Sequence, residues 1–208
     1  RQMDGDATTP RRWRRQTELV RGGQVRSQHG ETAEAIYLTS GYIYGAAEEA
    51  EDAFANRSDH FIYSRYGNPT VEMFQERLRL VEGAPACWAT ASGMAAVFAS
   101  IVAMVKAGDH VVGARALFGS CLYILTDILP RLGVETTIVE GPDLAGWKKA
   151  LSRPTRCVFI ETPSNPGLDI FDIAAISDLA HEAGALVIID NVFATPILQH
   201  PLELGADI

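Results

Sequence analysis

From about residue 60 onward, short apolar runs alternate with segments of helical spacing. That alternation limits the chain to few architectures. "NPTVEMFQERLRLVEG" opens on Asn68-Pro69 and stops at Gly83, with Val71, Phe74, Leu78 and Val81 at helical spacing. Ala86–Thr90, "ACWAT", reads as a short strand, and "SGMAAVFASIVAMVKAG" as a buried helix that ends at Gly108. The pattern then repeats: strand in "DHVVGA", helix from Phe118 to Leu132, strand in "VETTIVE", helix in "DLAGWKKAL", strand in "RCVFIE". A helix in "DIAAISDLAHEAG" closes at Gly184, and "ALVIID" follows as a strand. Five alternations with short connections predict an α/β domain with a mainly parallel sheet, helices on both faces and right-handed crossovers. Residues 1–60 are less regular and read as an N-terminal arm, which leaves 61–208 as the α/β domain.

In such a sheet ligands bind beyond the carboxyl ends of the strands. The stretches to examine are therefore Ala91–Met94, Ala114–Ser120, Glu161–Asn165 and Asp190–Thr195. The last is the most pointed. Leu186–Ile189 is an apolar run, expected to be buried on both faces, and it leads straight into Asp190. A carboxylate there is costly unless something positive meets it.

Composition and motifs remove several classes. A chain of 208 residues, 47% hydrophobic, is long enough for a substantial core. Its net charge of −8 argues against a general nucleic-acid binder. Residues 1–30 nevertheless hold seven arginines, including those of "RRWRRQ", against Asp4, Asp6 and Glu18. That stretch reads as a solvated, partly disordered terminus rather than a nucleic-acid or lipid arm. No apolar run is long enough to span a bilayer. Cys87, Cys121 and Cys157 are scattered with no CxxC pair, which points to a reducing compartment, the cytoplasm. The glycine pattern of a nicotinamide site, a P-loop and a nucleophile elbow are all missing, and "HEAGA" lacks the second histidine of a zinc hydrolase. No metal site is expected.

"TASGMAA" follows a strand and opens a helix. Ser92 can cap that helix, Gly93 lets a ligand approach the backbone, and the exposed N–H groups with the helix dipole favour a phosphate. "YSRYGNPT" offers Tyr63 and Arg65, two residues apart and on one side of an extended segment, as a second phosphate grip. "ETPSNP" holds Asn165 in a proline-stiffened loop, and "ALFGS" brings Phe118 where an aromatic can stack on a flat ligand. Each stretch has a plainer reading. Ser-Gly can serve capping only, Arg65 and Tyr63 can be surface and packing residues, Phe118 can belong to the core, and Asp190 can cap a loop N–H. Together they describe a flat, cationic heteroaromatic ring bearing a phosphate. Pyridoxal phosphate is such a molecule, with its phosphate at Gly93, its ring at Phe118 and its ring nitrogen facing Asp190.

"YSRYGNPT", "TASGMAA", "ETPSNP" and "IDNVFATP", in this order, resemble the Cys/Met-metabolism family of pyridoxal-phosphate enzymes, the cystathionine γ-synthase group with the type I aminotransferase fold. The resemblance runs from about Gly30 onward. Within the family, "ETAEAIYLTSGYIY", "ACWATASGMAA" and "LFGSC" are most similar to members that replace the succinyl group of O-succinylhomoserine with sulfide, a step of methionine biosynthesis.

The resemblance implies that Ser92, Gly93 and Met94 hold the cofactor phosphate, and that Asp190 pairs with the pyridine nitrogen. Asn165 would lie near the ring hydroxyl. Tyr63 and Arg65 would reach the cofactor of a neighbouring subunit, in a dimer or tetramer. Phe118 stands where many members stack a tyrosine. It keeps the stack and lacks the hydroxyl, which favours thiol exchange over tyrosine-assisted elimination. The family's Schiff-base lysine, in an S-x-T-K motif, and its C-terminal domain are expected beyond Ile208. Lys106, Lys148 and Lys149 do not match that motif. The polypeptide of 208 residues is thus expected to be inactive alone, or to act as an assembly module.

Overall fold

The computed structural model describes residues 13–208. Arg1, Arg11 and Arg12 of the arginine-rich stretch lie outside the described residues. The chain forms two compact units, Arg1–Ala89 and Thr90–Ile208.

The first unit contains α1 (Arg15–Arg21), α2 (Ala47–Phe54) and α3 (Pro69–Glu82). α3 starts and stops where the sequence predicts. The Asn68 side chain accepts a hydrogen bond from the Thr70 N–H at 2.9 Å, Pro69 occupies the first turn, and Gly83 takes a left-handed φ of 69° as the stop. The described part of the basic stretch departs from the expectation of a solvated, disordered terminus. Arg15 begins α1, which packs on α3, and its guanidinium donates to the Val81 carbonyl at 2.8 Å.

"ACWAT" is not a strand. Trp88 is 74% exposed, and the Ala89 N–H donates to Gln75 Oε1 at 2.8 Å instead of entering a ladder. The sheet of the second unit therefore has four strands: β1 (His110–Ala114), β2 (Glu135–Val139), β3 (Cys157–Glu161) and β4 (Leu186–Asp190). All neighbouring strands run parallel, in the order β2-β1-β3-β4.

The helices are α4 (Gly93–Val102), α5 (Gly119–Tyr123), α6 (Leu129–Arg131), α7 (Leu144–Ala150), α8 (Ile173–Glu182) and the short α9 (Thr195–Leu198). α4 stops short of Gly108: after Val102 the Met104 N–H turns back to the Ile101 carbonyl at 3.1 Å, and further on Asp109 accepts the Lys106 N–H at 2.9 Å. Of its residues only Ile101 is buried, so α4 is a half-exposed helix and not a buried one. α5 runs into α6 through a π-helical turn at Ile124–Ile128, where the Leu129 N–H reaches back to the Ile124 carbonyl.

The strand order fixes the layers. The connection β1→β2 moves one way across the sheet, and β2→β3 and β3→β4 move the other way. Right-handed crossovers then put α5 and α6 on one face and α7 and α8 on the opposite face. The packing agrees, since α4 touches α5 and α7 touches α8. Helices thus cover both faces, as expected. β1 and β3 are fully buried, and the core beside them includes Trp147 edge-on to Phe171, ring centroids 5.9 Å apart.

β4 is an outer strand of the four, which departs from the expectation of burial on both faces: Leu186, Ile189 and Asp190 are only half-buried. Its free side is met by the chain itself. The Ile208 N–H donates to the Val187 carbonyl at 3.1 Å, and the Ile189 N–H donates to the Ile208 carbonyl at 2.9 Å, the pattern of a parallel strand. Asp207 adds to this contact by accepting from the Val187 N–H at 2.8 Å and pairing with His181 Nε2 at 2.9 Å.

Candidate cofactor site

The chain leaves β1 in one direction and β3 in the other, so the crevice between their carboxyl ends is the switch point of the sheet, where ligands bind in this architecture. The loops that rim it carry Phe118, after β1, and Glu161–Asn165, at the end of β3.

Glu161 joins them. It is 1% exposed, and its Oε2 accepts the Phe118 N–H at 2.5 Å. Asp190 is its register partner on β4, so the two side chains leave the sheet on the same side. Burial and the nearby Asp190 push the Glu161 carboxyl above its ordinary value, while the Phe118 and Asn165 N–H groups pull it down. Asp190 thus meets a second carboxylate where its position called for a cation. Its Oδ1 accepts the Val192 N–H at 3.1 Å, so it also caps its own loop, and its other oxygen has no partner among the described residues.

Cys121, on α5, is near enough to this pair to feel both charges. Burial, then Asp190 and Glu161, push its thiol up to about 11, and its Sγ stands 3.9 Å from Met94 Sδ. That contact ties the start of α4 to the strand ends. Ser92 caps α4, accepting the Ala95 N–H at 3.2 Å. The N–H groups of Gly93 and Met94 in the first turn have no partner within the described chain, and a Cβ built on Gly93 meets open space. Five expected residues, Ser92, Gly93, Met94, Phe118 and Asp190, thus line one end of the sheet. The Phe118 ring is 42% exposed there.

Asn165 belongs to the same rim. Its loop is held by more than prolines: Ser164 Oγ accepts the Asp169 N–H at 2.9 Å, and Thr162 Oγ1 accepts the Phe171 N–H at 3.1 Å. Gln199 fastens the loop to the next one, donating to the Thr162 carbonyl at 2.7 Å and to Asn191 Oδ1 at 2.8 Å. The Asn165 carboxamide itself has no partner among the described residues.

Tyr63 and Arg65 belong to the first unit. Their segment is a turn rather than the expected extended stretch, with the Tyr66 N–H donating to the Tyr63 carbonyl at 2.8 Å. The two side chains still meet, since the Arg65 guanidinium lies 5.7 Å from the Tyr63 ring centroid and 4.6 Å from that of Tyr66. No group of three or more His, Cys, Asp or Glu among the described residues is placed to hold a metal ion. No helix among them is long and apolar enough to cross a membrane.

The donor set fits a phosphate at the start of α4 and a cationic ring nitrogen at Asp190. The model of the Cys/Met metabolism PLP-dependent enzymes matches residues 16–208. The chain belongs to this family. Pyridoxal phosphate is accordingly the cofactor of the enzymes it is grouped with.

O-succinylhomoserine sulfhydrylase of Mycobacterium tuberculosis is 62% identical over 189 residues, 91% of this chain and 47% of that protein. L-methionine gamma-lyase of Fusobacterium nucleatum subsp. polymorphum is 41% identical over 92% of this chain and 49% of its own length. Among solved structures, a Campylobacter jejuni protein assigned as an O-acetylhomoserine (thiol)-lyase superposes with a TM-score of 0.88 at 29% identity, over 94% of this chain and 48% of its own. That structure carries N'-pyridoxyl-lysine-5'-monophosphate. The chain thus spans about half the length of the relatives it matches.

Glu161 is the residue that reading the sequence alone passed over. "ETPSNP" drew attention to Asn165, and the only available signal for Glu161 was an acid at the end of an apolar strand.

Proposed function

We propose that the intact protein carrying this chain replaces the succinyl group of O-succinylhomoserine with sulfide, releasing succinate and giving homocysteine. The observation that carries this reading is the 62% identity to O-succinylhomoserine sulfhydrylase, against 41% to the methionine gamma-lyase. When bound, pyridoxal phosphate supplies an electron sink that stabilises negative charge beside the amino nitrogen of the substrate.

The residues of this chain hold and tune that group. The N–H groups of Gly93 and Met94, with Ser92, bind the phosphate at the positive end of α4. Asp190 keeps a proton on the ring nitrogen, which strengthens the electron demand. Phe118 covers the ring face, and Asn165 donates to the ring hydroxyl. Tyr63 and Arg65 bind the phosphate held by a second copy, so the working unit is at least a dimer.

Lys106 precedes β1 and Lys148 and Lys149 end α7, at the opposite end of the sheet from Asp190. The covalent anchor, and the proton transfers at the α and β carbons, are therefore assigned to a lysine outside residues 1–208.

Product analysis tests the reading. The intact protein, given O-succinylhomoserine and sulfide, should form homocysteine and succinate. Formation of cystathionine from cysteine in preference would move it to a cystathionine γ-synthase. Methanethiol released from methionine, with no thiol consumed, would make it a γ-lyase.

A further inference from the structure

We infer that Glu161 is a positioning residue for the cofactor ring, holding the Phe118 and Asn165 loops across the switch crevice and placing a second negative charge beside Asp190. The inference rests on the cofactor reading above and adds a residue to it.

Three observations carry it. Glu161 is 1% exposed, yet its carboxylate accepts the backbone N–H of Phe118, on the loop after β1. Glu161 itself opens the loop of Asn165, so this bond joins the loops that carry the aromatic ring and the carboxamide assigned to the cofactor. A buried acid that served the strand end alone would need no bond to the other loop. Third, Glu161 is in register with Asp190, on the same face of adjacent strands.

A buried carboxylate and a half-buried one side by side repel one another, and the hydrogen-bond partners of both among the described residues are neutral backbone N–H groups. A cationic ring nitrogen at Asp190 would relieve that repulsion, so the pair favours a cation there more strongly than Asp190 could alone. Glu161 therefore acts in two ways. It fixes where Phe118 and Asn165 stand, and it raises the tendency of the bound ring to keep its proton.

The test uses the intact protein with Glu161→Gln, Glu161→Ala and Asp190→Asn, read by pyridoxal phosphate affinity and by the pH profile of the bound cofactor's absorbance. Glu161→Gln keeps an acceptor oxygen and loses the charge. It should weaken cofactor binding roughly tenfold and shift the protonated-ring band to lower pH. Glu161→Ala should be worse in affinity, with Glu161→Gln as its partial rescue. A purely structural tether would lower the melting temperature of the cofactor-free protein and leave the pH profile in place.

An unshifted profile with affinity within about twofold of wild type for Glu161→Gln, while Asp190→Asn loses the cofactor, overturns the role of Glu161 alone. If Asp190→Asn also binds the cofactor normally, with an unshifted profile, the cofactor reading itself fails. The conclusion does not depend on Glu161→Ala, which could unfold, because Glu161→Gln fills the same space.

Discussion

The Glu161 and Asp190 carboxylates leave adjacent parallel strands at matching register positions, one buried and the other half-buried with a free oxygen. Asp190→Asn retains the oxygen that accepts the Val192 N–H, so the loop should keep its shape. Turnover of the intact enzyme should nonetheless fall by about two orders of magnitude or more, the scale on which an aligned charge at a reaction centre is worth keeping. Steady-state rates, with the melting temperature of the cofactor-free protein as the control for folding, decide it. Near-normal turnover would remove Asp190 from the ring nitrogen.

Gly113 sits in the middle of β1, where a Cβ would run into Cδ1 of the fully buried Leu125 and lie 3.5 Å from the Phe159 carbonyl. Gly113→Ala should therefore destabilise the fold by about 1–3 kcal/mol through overpacking. Adding Leu125→Val should recover part of that loss, because the two sites touch. Urea denaturation of the two variants and the double variant measures both effects.

His110 is buried between two threonines, Nδ1 2.9 Å from Thr155 Oγ1 and Nε2 2.8 Å from Thr137 Oγ1. Thr155 Oγ1 spends its proton on the Arg153 carbonyl at 3.0 Å, so Nδ1 is assigned as the donor and Nε2 as the acceptor. Burial, then the Arg153 charge, lower the imidazole below its ordinary value. The unfolded chain then binds a proton that the native state resists. Stability from this group is present above the ordinary histidine value and is lost as pH falls through the depressed one. Between pH 8 and pH 5 the wild type should lose more stability than His110→Gln, compared by urea denaturation at each pH. Equal losses would sink the assignment.

The three cysteines should differ in reactivity. Cys87 is half-buried, whereas burial pushes the Cys121 thiol up to about 11 and the Cys157 thiol up to about 12. Ellman's reagent should modify Cys87 first, and slowly, because burial and Glu82 also raise its thiol. Cys121 and Cys157 should react only after unfolding. Prompt labelling of Cys121 in the native protein would contradict its packing against Met94.

Local signals were legible where the chemistry is local. Asn68, Pro69 and Gly83 bracket α3 by a cap, a fixed φ and a left-handed stop, all within one segment. "ACWAT" misled because its apolar, alternating look says nothing about whether a ladder partner exists, and here Gln75 takes the Ala89 N–H. The apolar run past Val102 hid the end of α4, where the Met104 N–H turns back to the Ile101 carbonyl. Glu161 was illegible for another reason. Its meaning lies in a bond to Phe118, 43 residues away, that only the sheet's switch of direction creates. Asp190 stood out because a charge after four apolar residues is costly wherever it ends up. That its immediate neighbour would be an acid could not be read without the strand register.

The contact of Ile208 with β4 also sets a heading. Ile208 accepts from the Ile189 N–H and donates to the Val187 carbonyl, so the backbone here lies alongside β4 and runs the same way. Asp207 pins that alignment twice, through the Val187 N–H and through His181. At Ile208 the chain is therefore travelling toward the end of the sheet that Glu161 and Asp190 occupy.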